Sequence, residues 1–402
     1  MQVKVFRGQN QIGGNIIEVA SSKTKILLDV GLDLIDENNR ELPDIKGLYD
    51  SKGYDAIFIS HYHLDHMGLA YNVHKDIPIY IGEASYKILC AANNYTGKKG
   101  LPEMSFLKNK QPITVGDIQV TPYICDHSAY DSYMLYIECQ GETILYTGDF
   151  RSNGWKKGLK IEFLPQNIDT LICEGTTLSR QDYVAEDEEE LFNRATALFK
   201  KTEGPIFILQ SAMNIDRIVT MYKAAKKNKR LFLQELYMAE ITNTIKGKIP
   251  NPIGFHDVKT FVTKAYRCYR YDLLKAYGYN NIIGRRAIAK EKFVMCIRTS
   301  MFEYIKKLLN IMDCQKGLLV YSFWSGYRQN EDMKRFLEKC KNLGLEIVTL
   351  HTSGHADANT IKKLLKHTKP KNVMPIHTEN AAWFEKAKTD LDMEYKIIHK
   401  EG

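Results

Sequence analysis

From residue 1 to about 175 the chain reads as short runs in which apolar and polar positions alternate, the two-residue period of half-buried strands. The pattern predicts strands over 3–6, 16–20, 24–28, 56–59, 77–81, 118–124, 134–138, 143–146 and 170–173, with Gly13-Gly14, Gly116-Asp117 and Gly141-Glu142 as turns between them. One helix stands out, over 83–93. This half is expected to be a sheet-rich sandwich with helices outside.

Helical spacing strengthens after residue 183. The acidic run Glu186 to Glu190, followed by Leu191-Phe192 and ending at Lys200-Lys201, reads as a helix whose charges complement its dipole, with no ligand role. Strands at 206–209 and 318–321 each precede a helix, at 214–227 and 330–342, and this alternation predicts a compact α/β unit with a parallel sheet. Residues 250–290 are less regular and mix rings with cations: Lys264, Tyr266, Arg267, Tyr269, Arg270, Tyr271, Lys275, Tyr277, Tyr279, Arg285 and Arg286. Such a mixture can stack bases and neutralise phosphates, or it can be a helix with tyrosines half in the core and cations in solvent. The last fifty residues return to a strand at 346–350, a helix at 359–367, a strand at 372–376, a helix at 380–388 and a strand at 395–399.

Composition adds bounds. At 402 residues the chain is longer than a single core usually grows, which predicts two domains or one domain carrying a large insertion. Hydrophobic residues at 44% and charged residues at 26% are ordinary for a globular protein. The eight cysteines include no C-x-x-C pair and several lie in apolar runs, so reduced thiols and a cytoplasmic location are expected. Met1 to Arg7 contains no apolar signal core, and no stretch reaches the about 18 apolar residues of a membrane span, so no membrane is expected as partner. A formal charge of +8 leans toward a polyanionic partner.

The chemistry concentrates in Ile59-Ser60-His61-Tyr62-His63-Leu64-Asp65-His66, directly after a predicted strand. His61 and His63 are two apart and can send both rings the same way, while Asp65 and His66 can face a second ion. Imidazole and carboxylate together suit zinc, with manganese or iron as the set hardens. Four more ligand-type residues follow predicted strands: His127, Asp149, His355 and His377. Six of the 11 histidines thus fall in strand-end loops.

With Asp29 in Leu27-Leu28-Asp29-Val30-Gly31, this series resembles the metallo-β-lactamase fold. Within that fold it resembles the β-CASP nucleases, through Glu174 after a strand, His355 in Ser353-Gly354-His355-Ala356, and His377. The resemblance implies an αββα sandwich formed by 1–180 and 351–402, carrying an inserted α/β cap over 181–350. It implies two zinc ions, with manganese as an alternative: one on His61, His63 and His127, the other on Asp65, His66 and His377, bridged by Asp149. It further implies that Glu174 orients His355 as the proton donor, that Asp65 and Asp149 take part in catalysis, and that Asp29 supports the metal loop. A histidine at 377 resembles the RNA-processing members, ribonuclease J and the cleavage and polyadenylation endonucleases, and not the DNA-repair members. The expected function is therefore zinc-dependent cleavage of single-stranded RNA in a cleft between the domains, with Ser353, Gly354, Ser211 and Arg217 contacting RNA. A DNA nuclease of the same fold, a decayed RNA-binding subunit and a small-molecule hydrolase are the alternatives. Assembly as a homodimer and the choice between internal and end-directed cleavage stay open.

Overall fold

The two-residue alternation of the N-terminal half folds into two facing sheets. The chain is described by a computed structural model over residues 1–33, 42–98, 100–156, 161–181, 183–245, 247, 249–263, 275, 277–312 and 316–398. It divides into two compact units, one of residues 1–90, 99–185 and 354–402, the other of 91–98 and 186–353.

In the first unit, β1 (Gln2–Arg7), β2 (Ile16–Ala20), β3 (Lys25–Leu28), β4 (Ala56–Phe58), β5 (Ile79–Gly82) and β6 (Ser105–Leu107) form one sheet in chain order. The second sheet runs β20 (Lys396–Ile397), β19 (Asn372–Ile376), β11 (Thr170–Glu174), β10 (Glu142–Tyr146), β9 (Ser132–Cys139), β8 (Ile118–Cys125) and β7 (Ile113–Val115). Alternate residues decide the faces. Tyr133, Leu135 and Ile137 of β9 meet Ile17, Ile26 and Phe58 between the sheets. Met134 points the other way, with Leu145 and Leu171, onto Ile361, Leu364 and Leu365 of helix α9 (Ala358–Thr368) and Phe384 of α10 (Ala382–Asp390). The short α1 (Leu64–Met67) follows β4, and α2 (Glu83–Thr96) follows β5.

β19 lies parallel to β11, with Thr170 opposite Asn372 and Glu174 opposite Ile376. The end of the sequence thus extends the second sheet beyond β11 and forms one of its edges. Because side chains alternate, a slip of one residue would turn the segment after Ile376 to the wrong side.

The second unit is a seven-stranded sheet of order β15 (Ile282–Ile283), β14 (Val258–Phe261), β13 (Leu231–Glu235), β16 (Phe293–Ile297), β12 (Ile206–Leu209), β17 (Gly317–Tyr321) and β18 (Leu345–Thr349). All six of its pairings are parallel. Its central strands are apolar on both faces, as a parallel sheet covered by helices requires. Phe207, Phe293, Leu319 and Tyr321 pack on Ile305 and Leu308 of α7 (Phe302–Leu309) and Phe336 of α8 (Glu331–Asn342). The sequence pattern missed β16, whose continuous apolar run Phe293–Ile297 carries no period, and also missed β13 and β14. Also missed were α5 (Leu236–Thr244) and α7. The short α6 (Arg285–Ile288) carries Arg285 and Arg286, while 264–274 of the aromatic and basic stretch lie outside the described residues.

The acidic run opening α3 (Glu188–Lys201) separates into distinct roles. Asp187 caps the helix, accepting from Glu190 N at 2.7 Å while the Glu190 carboxylate accepts from Asp187 N at 3.0 Å. Glu188 turns inward and is fully buried. It accepts from Arg217 Nε at 3.3 Å, Arg217 Nη2 at 3.1 Å and Thr220 Oγ1 at 2.6 Å. Arg217, on α4 (Ile215–Lys227), also donates to Ser322 Oγ and to the carbonyls of Leu350 and Thr352. The expectation that Arg217 contacts RNA is therefore corrected: its guanidinium is buried and its donors are spent within the unit.

Candidate metal centre

Strand ends of the first unit supply the side chains. Asp29 follows β3, His61 and His63 follow β4, Asp65 and His66 lie in α1, His127 follows β8, Asp149 follows β10, Glu174 ends β11, and His377 follows β19. With His355, all of these except Asp29 fall into three overlapping sets, each with ligand atoms within 4.8 Å of one another: His61, His63, His127 and Asp149; Asp65, His66, Asp149 and His377; and Asp149, Glu174, His355 and His377. Asp149 belongs to all three.

The spacing within the first two sets fits a metal ion. Two ligand atoms about 2.05 Å from one ion at the tetrahedral angle lie about 3.3 Å apart. Here His63 Nδ1 and His127 Nε2 are 3.2 Å apart, and His61 Nε2 and His127 Nε2 lie 3.7 and 3.9 Å from Asp149 Oδ2. On the other side, His66 Nε2 is 3.2 Å from Asp149 Oδ2, and His377 Nε2 is 3.2 Å from Asp65 Oδ2. Among the described residues, His61 Nε2, His66 Nε2 and Asp149 Oδ1 are buried without a hydrogen-bond partner, which is costly unless something absent from the chain satisfies them.

Four imidazoles have the same tautomer imposed on them from behind. His66 Nδ1 donates to Asp29 Oδ2 at 2.7 Å, and His127 Nδ1 donates to the Gly354 carbonyl at 2.6 Å. The Ser60 hydroxyl donates to Asp29 Oδ2, so it accepts from His61 Nδ1 at 3.1 Å. Likewise the Thr176 hydroxyl donates to Glu174 Oε2 and accepts from His377 Nδ1 at 2.8 Å. Each bond holds the proton on Nδ1 and turns Nε2 with its lone pair to the centre, the form a metal needs.

Electrostatics agree at His61 and His127 but not at His66. Burial, reinforced by neighbouring imidazoles, holds His61 and His127 well below the usual histidine range, and burial brings His63 down to about 4, so these rings are neutral donors. Burial also depresses His66, but Asp149, Asp65 and Asp29 outweigh it and raise that ring well above its ordinary value. Burial opposes ionisation of Asp65 and Asp149 too, yet His66 and His377 hold both carboxyls below the usual range. His355, 22% exposed, places Nδ1 3.2 Å from Glu174 Oε2 and 3.5 Å from Asp149 Oδ2. Although burial lowers it, Glu174 and Asp149 bring it up to about 9.

The backbone holds this arrangement in unusual conformations. Asp29 at φ 57° and His377 at φ 48° are left-handed, which costs a non-glycine residue about 1–2 kcal/mol. Asp29 is fixed by donors from Ser60 N at 2.7 Å, Ser60 Oγ at 2.8 Å, His66 and the Tyr146 hydroxyl. His377 donates its own N–H to the Gly8 carbonyl at 2.6 Å. A Cβ at residue 31 would stand 1.8 Å from the Asp65 carbonyl oxygen, so only glycine lets that strand end pass the metal loop.

The remaining sequence-derived site residues are placed as follows. Gly354 serves His127 through its carbonyl. Ser353 is buried in the second unit, and Ser211, half-buried there, accepts from Met213 N at 3.1 Å in the turn before α4. Sequence reasoning missed Ser60, Tyr146 and Thr176. Ser60 adjoins His61, and Tyr146 ends a strand facing the sandwich interior, where a phenol requires a partner. Thr176 is an ordinary turn residue after a strand, and nothing near it in the sequence places it against His377.

A family model described as the Beta-lactamase superfamily domain matches residues 24–230. A second, described as a Zn-dependent metallo-hydrolase RNA specificity domain, matches residues 342–392. The chain is 26% identical over 236 residues to a protein named Ribonuclease J from Helicobacter pylori, covering 54% of this chain and 34% of that protein. It thus spans only about a third of that relative. With an RNase J-like protein from Methanocaldococcus jannaschii the identity is 22% over 422 residues, covering 94% of this chain and 92% of the other. The crystal structure of a protein of unknown function from Enterococcus faecalis V583 superposes with a TM-score of 0.81 at 23% identity, over 99% of this chain and 97% of that one, a likeness of fold. With two facing sheets, overlapping ligand sets at their strand ends and these matches, the chain belongs to the beta-lactamase superfamily, among its ribonuclease J-like, β-CASP members of metallo-β-lactamase fold.

Proposed function

We propose that this chain is a metal-dependent phosphodiesterase that cleaves single-stranded RNA, with zinc as its metal and manganese as the alternative. The observation that carries the reading is the pair of ligand sets sharing Asp149. His61, His63, His127 and Asp149 would hold one ion, and Asp65, His66, His377 and Asp149 the other. Bound there, the ions would supply an activated water and offset charge growing on the phosphate. RNA is favoured by the match to a Zn-dependent metallo-hydrolase RNA specificity domain and by relatives named ribonuclease J.

The chain's own residues divide the remaining work. Asp29 and Thr176 fix His66 and His377. His355, brought up to about 9, carries its proton at neutral pH. Its Nδ1 faces Glu174, so the proton it gives the leaving oxygen departs from Nε2. Removing the Thr176 hydroxyl cuts the links to both Glu174 and His377. Thr176→Val is expected to weaken uptake of one metal by about 10- to 100-fold while Thr176→Ser stays near wild type, read by metal titration with a chromophoric competitor.

The function is tested with end-labelled RNA and DNA of one sequence and protein of measured metal content. RNA should be cut, DNA spared, and a chelator should stop the reaction until zinc or manganese is restored. Equal cleavage of the two strands would move the assignment to a DNA nuclease. Tight RNA binding without cleavage, by protein holding its metals, would make the chain an RNA-binding subunit.

A further inference from the structure

We infer that Trp324 and Tyr327, in the second unit, form a stacking platform for unpaired bases of the substrate, an inference that rests on the RNA reading above. They follow β17, Trp324 capping the start of a 3-10 turn over Ser325–Gln329 and Tyr327 within it. Trp324 is 47% and Tyr327 55% exposed. Aromatic rings this large are ordinarily covered, and two side by side are not scattered surface apolar residues.

Their exposure is built. The rings of Trp324 and Tyr327 meet edge to face at 5.6 Å, Tyr327 meets Phe323 at 6.1 Å, and Phe323 meets Tyr321 at 6.2 Å, so a line of aromatic contacts runs outward from the buried end of β17. A Cβ at residue 326 would lie 2.3 Å from the indole ring, so glycine there lets the ring rest against the backbone. Beside it the Arg328 guanidinium lies 4.3 Å from the Tyr321 ring centroid and donates to Thr349 Oγ1 at 2.6 Å, an ordered cation next to the rings.

The position suits a ligand. All strands of this sheet are parallel, and open α/β sheets bind ligands at the carboxyl ends of their strands. Ile297, Leu209 and Tyr321 are in register, which puts Arg298, Gln210 and Ser322 next to one another along that edge, about 5 Å per step. Arg298 is held 3.1 Å from Glu235 with the Tyr95 and Tyr237 rings at 5.8 and 5.7 Å, a second grouping of cation and rings. Gln210, 2% exposed, has both amide atoms without a hydrogen-bond partner among the described residues.

The occupant is a strand carrying both π faces and phosphates. A stable protein contact needs about 800 Å² on each side, more than two rings and a guanidinium supply, whereas one base matches the indole face. The nearby acids do not oppose a polyanion, because Glu331 and Asp332 are paired with Lys334 and Arg335 at 2.7 and 2.6 Å.

The test uses the metal-loaded full chain, a short nuclease-resistant oligoadenylate and an abasic oligonucleotide of equal length, with binding read by fluorescence anisotropy. Trp324→Ala and Tyr327→Ala should each raise Kd for oligoadenylate by about tenfold and leave the abasic strand unaffected. Trp324→Phe, which keeps a stacking face, should lose much less, and Gly326→Ala, which displaces the indole, should resemble Trp324→Ala. Turnover of bis(p-nitrophenyl) phosphate should not change in any of them. Wild-type protein that binds and cuts RNA, with alanine variants that bind it equally well, overturns the platform and leaves the function standing. Wild-type protein that turns over the small ester but neither binds nor cuts RNA overturns both. Unchanged RNA binding with self-association lost in light scattering would assign the rings to a protein contact, and this too overturns the proposal.

Discussion

Asp149→Asn is expected to slow RNA hydrolysis by at least about 10³-fold and to leave purified protein short of its metals, as measured by initial rates and elemental analysis. The magnitude follows from position. Losing a residue behind a metal ligand typically costs 10- to 100-fold, and Asp149 is itself the candidate ligand common to both sets. Asparagine keeps the shape of the side chain but replaces one acceptor with a donor, which would face His61, His66 and His127. A variant that kept a full metal complement and a rate within tenfold of wild type would show that the two sets act independently, and the shared-carboxylate centre would be wrong.

Arg217→Met is expected to lower stability by about 3–5 kcal/mol, read as a shift of the second unit's transition in urea. The loss arises because Glu188 would stay fully buried with its cation gone and because Ser322 and the Leu350 and Thr352 carbonyls would lose donors. Adding Glu188→Leu to the same chain should recover most of it, since a buried pair replaced as a whole by apolar groups is often neutral. At temperatures where both proteins are folded, hydrolysis by the double variant should match wild type. A large fall in RNA affinity without any loss of stability would reinstate Arg217 as a nucleic-acid contact.

These cases show what a sequence can and cannot carry. The candidate ligands of the centre were legible because His61, His63, Asp65 and His66 fall within six consecutive residues and the others follow strands with a clear two-residue period. The supports were not. Thr176 and Tyr146 are common residues whose role depends on what lies across the sheet, at His377 and Asp29. Arg217 misled because a helix cation normally reaches solvent, and nothing in its neighbourhood of the sequence says that Glu188, on another helix, turns inward to meet it. In the second unit, β16 was lost because a strand covered on both faces has no alternation to read.

The parallel pairing of β19 with β11 makes the order of translation matter to chemistry. A ribosome that has released residues 1–180 has already released His61, His63, His127 and Asp149, one ligand set in full. The other set still lacks His377, which is fixed only after residues 372–376 slot in beside Thr170–Glu174. A nascent or prematurely terminated chain of this kind would hold half of the candidate centre, so the second ligand set would also serve as a check that the polypeptide has been made through β19.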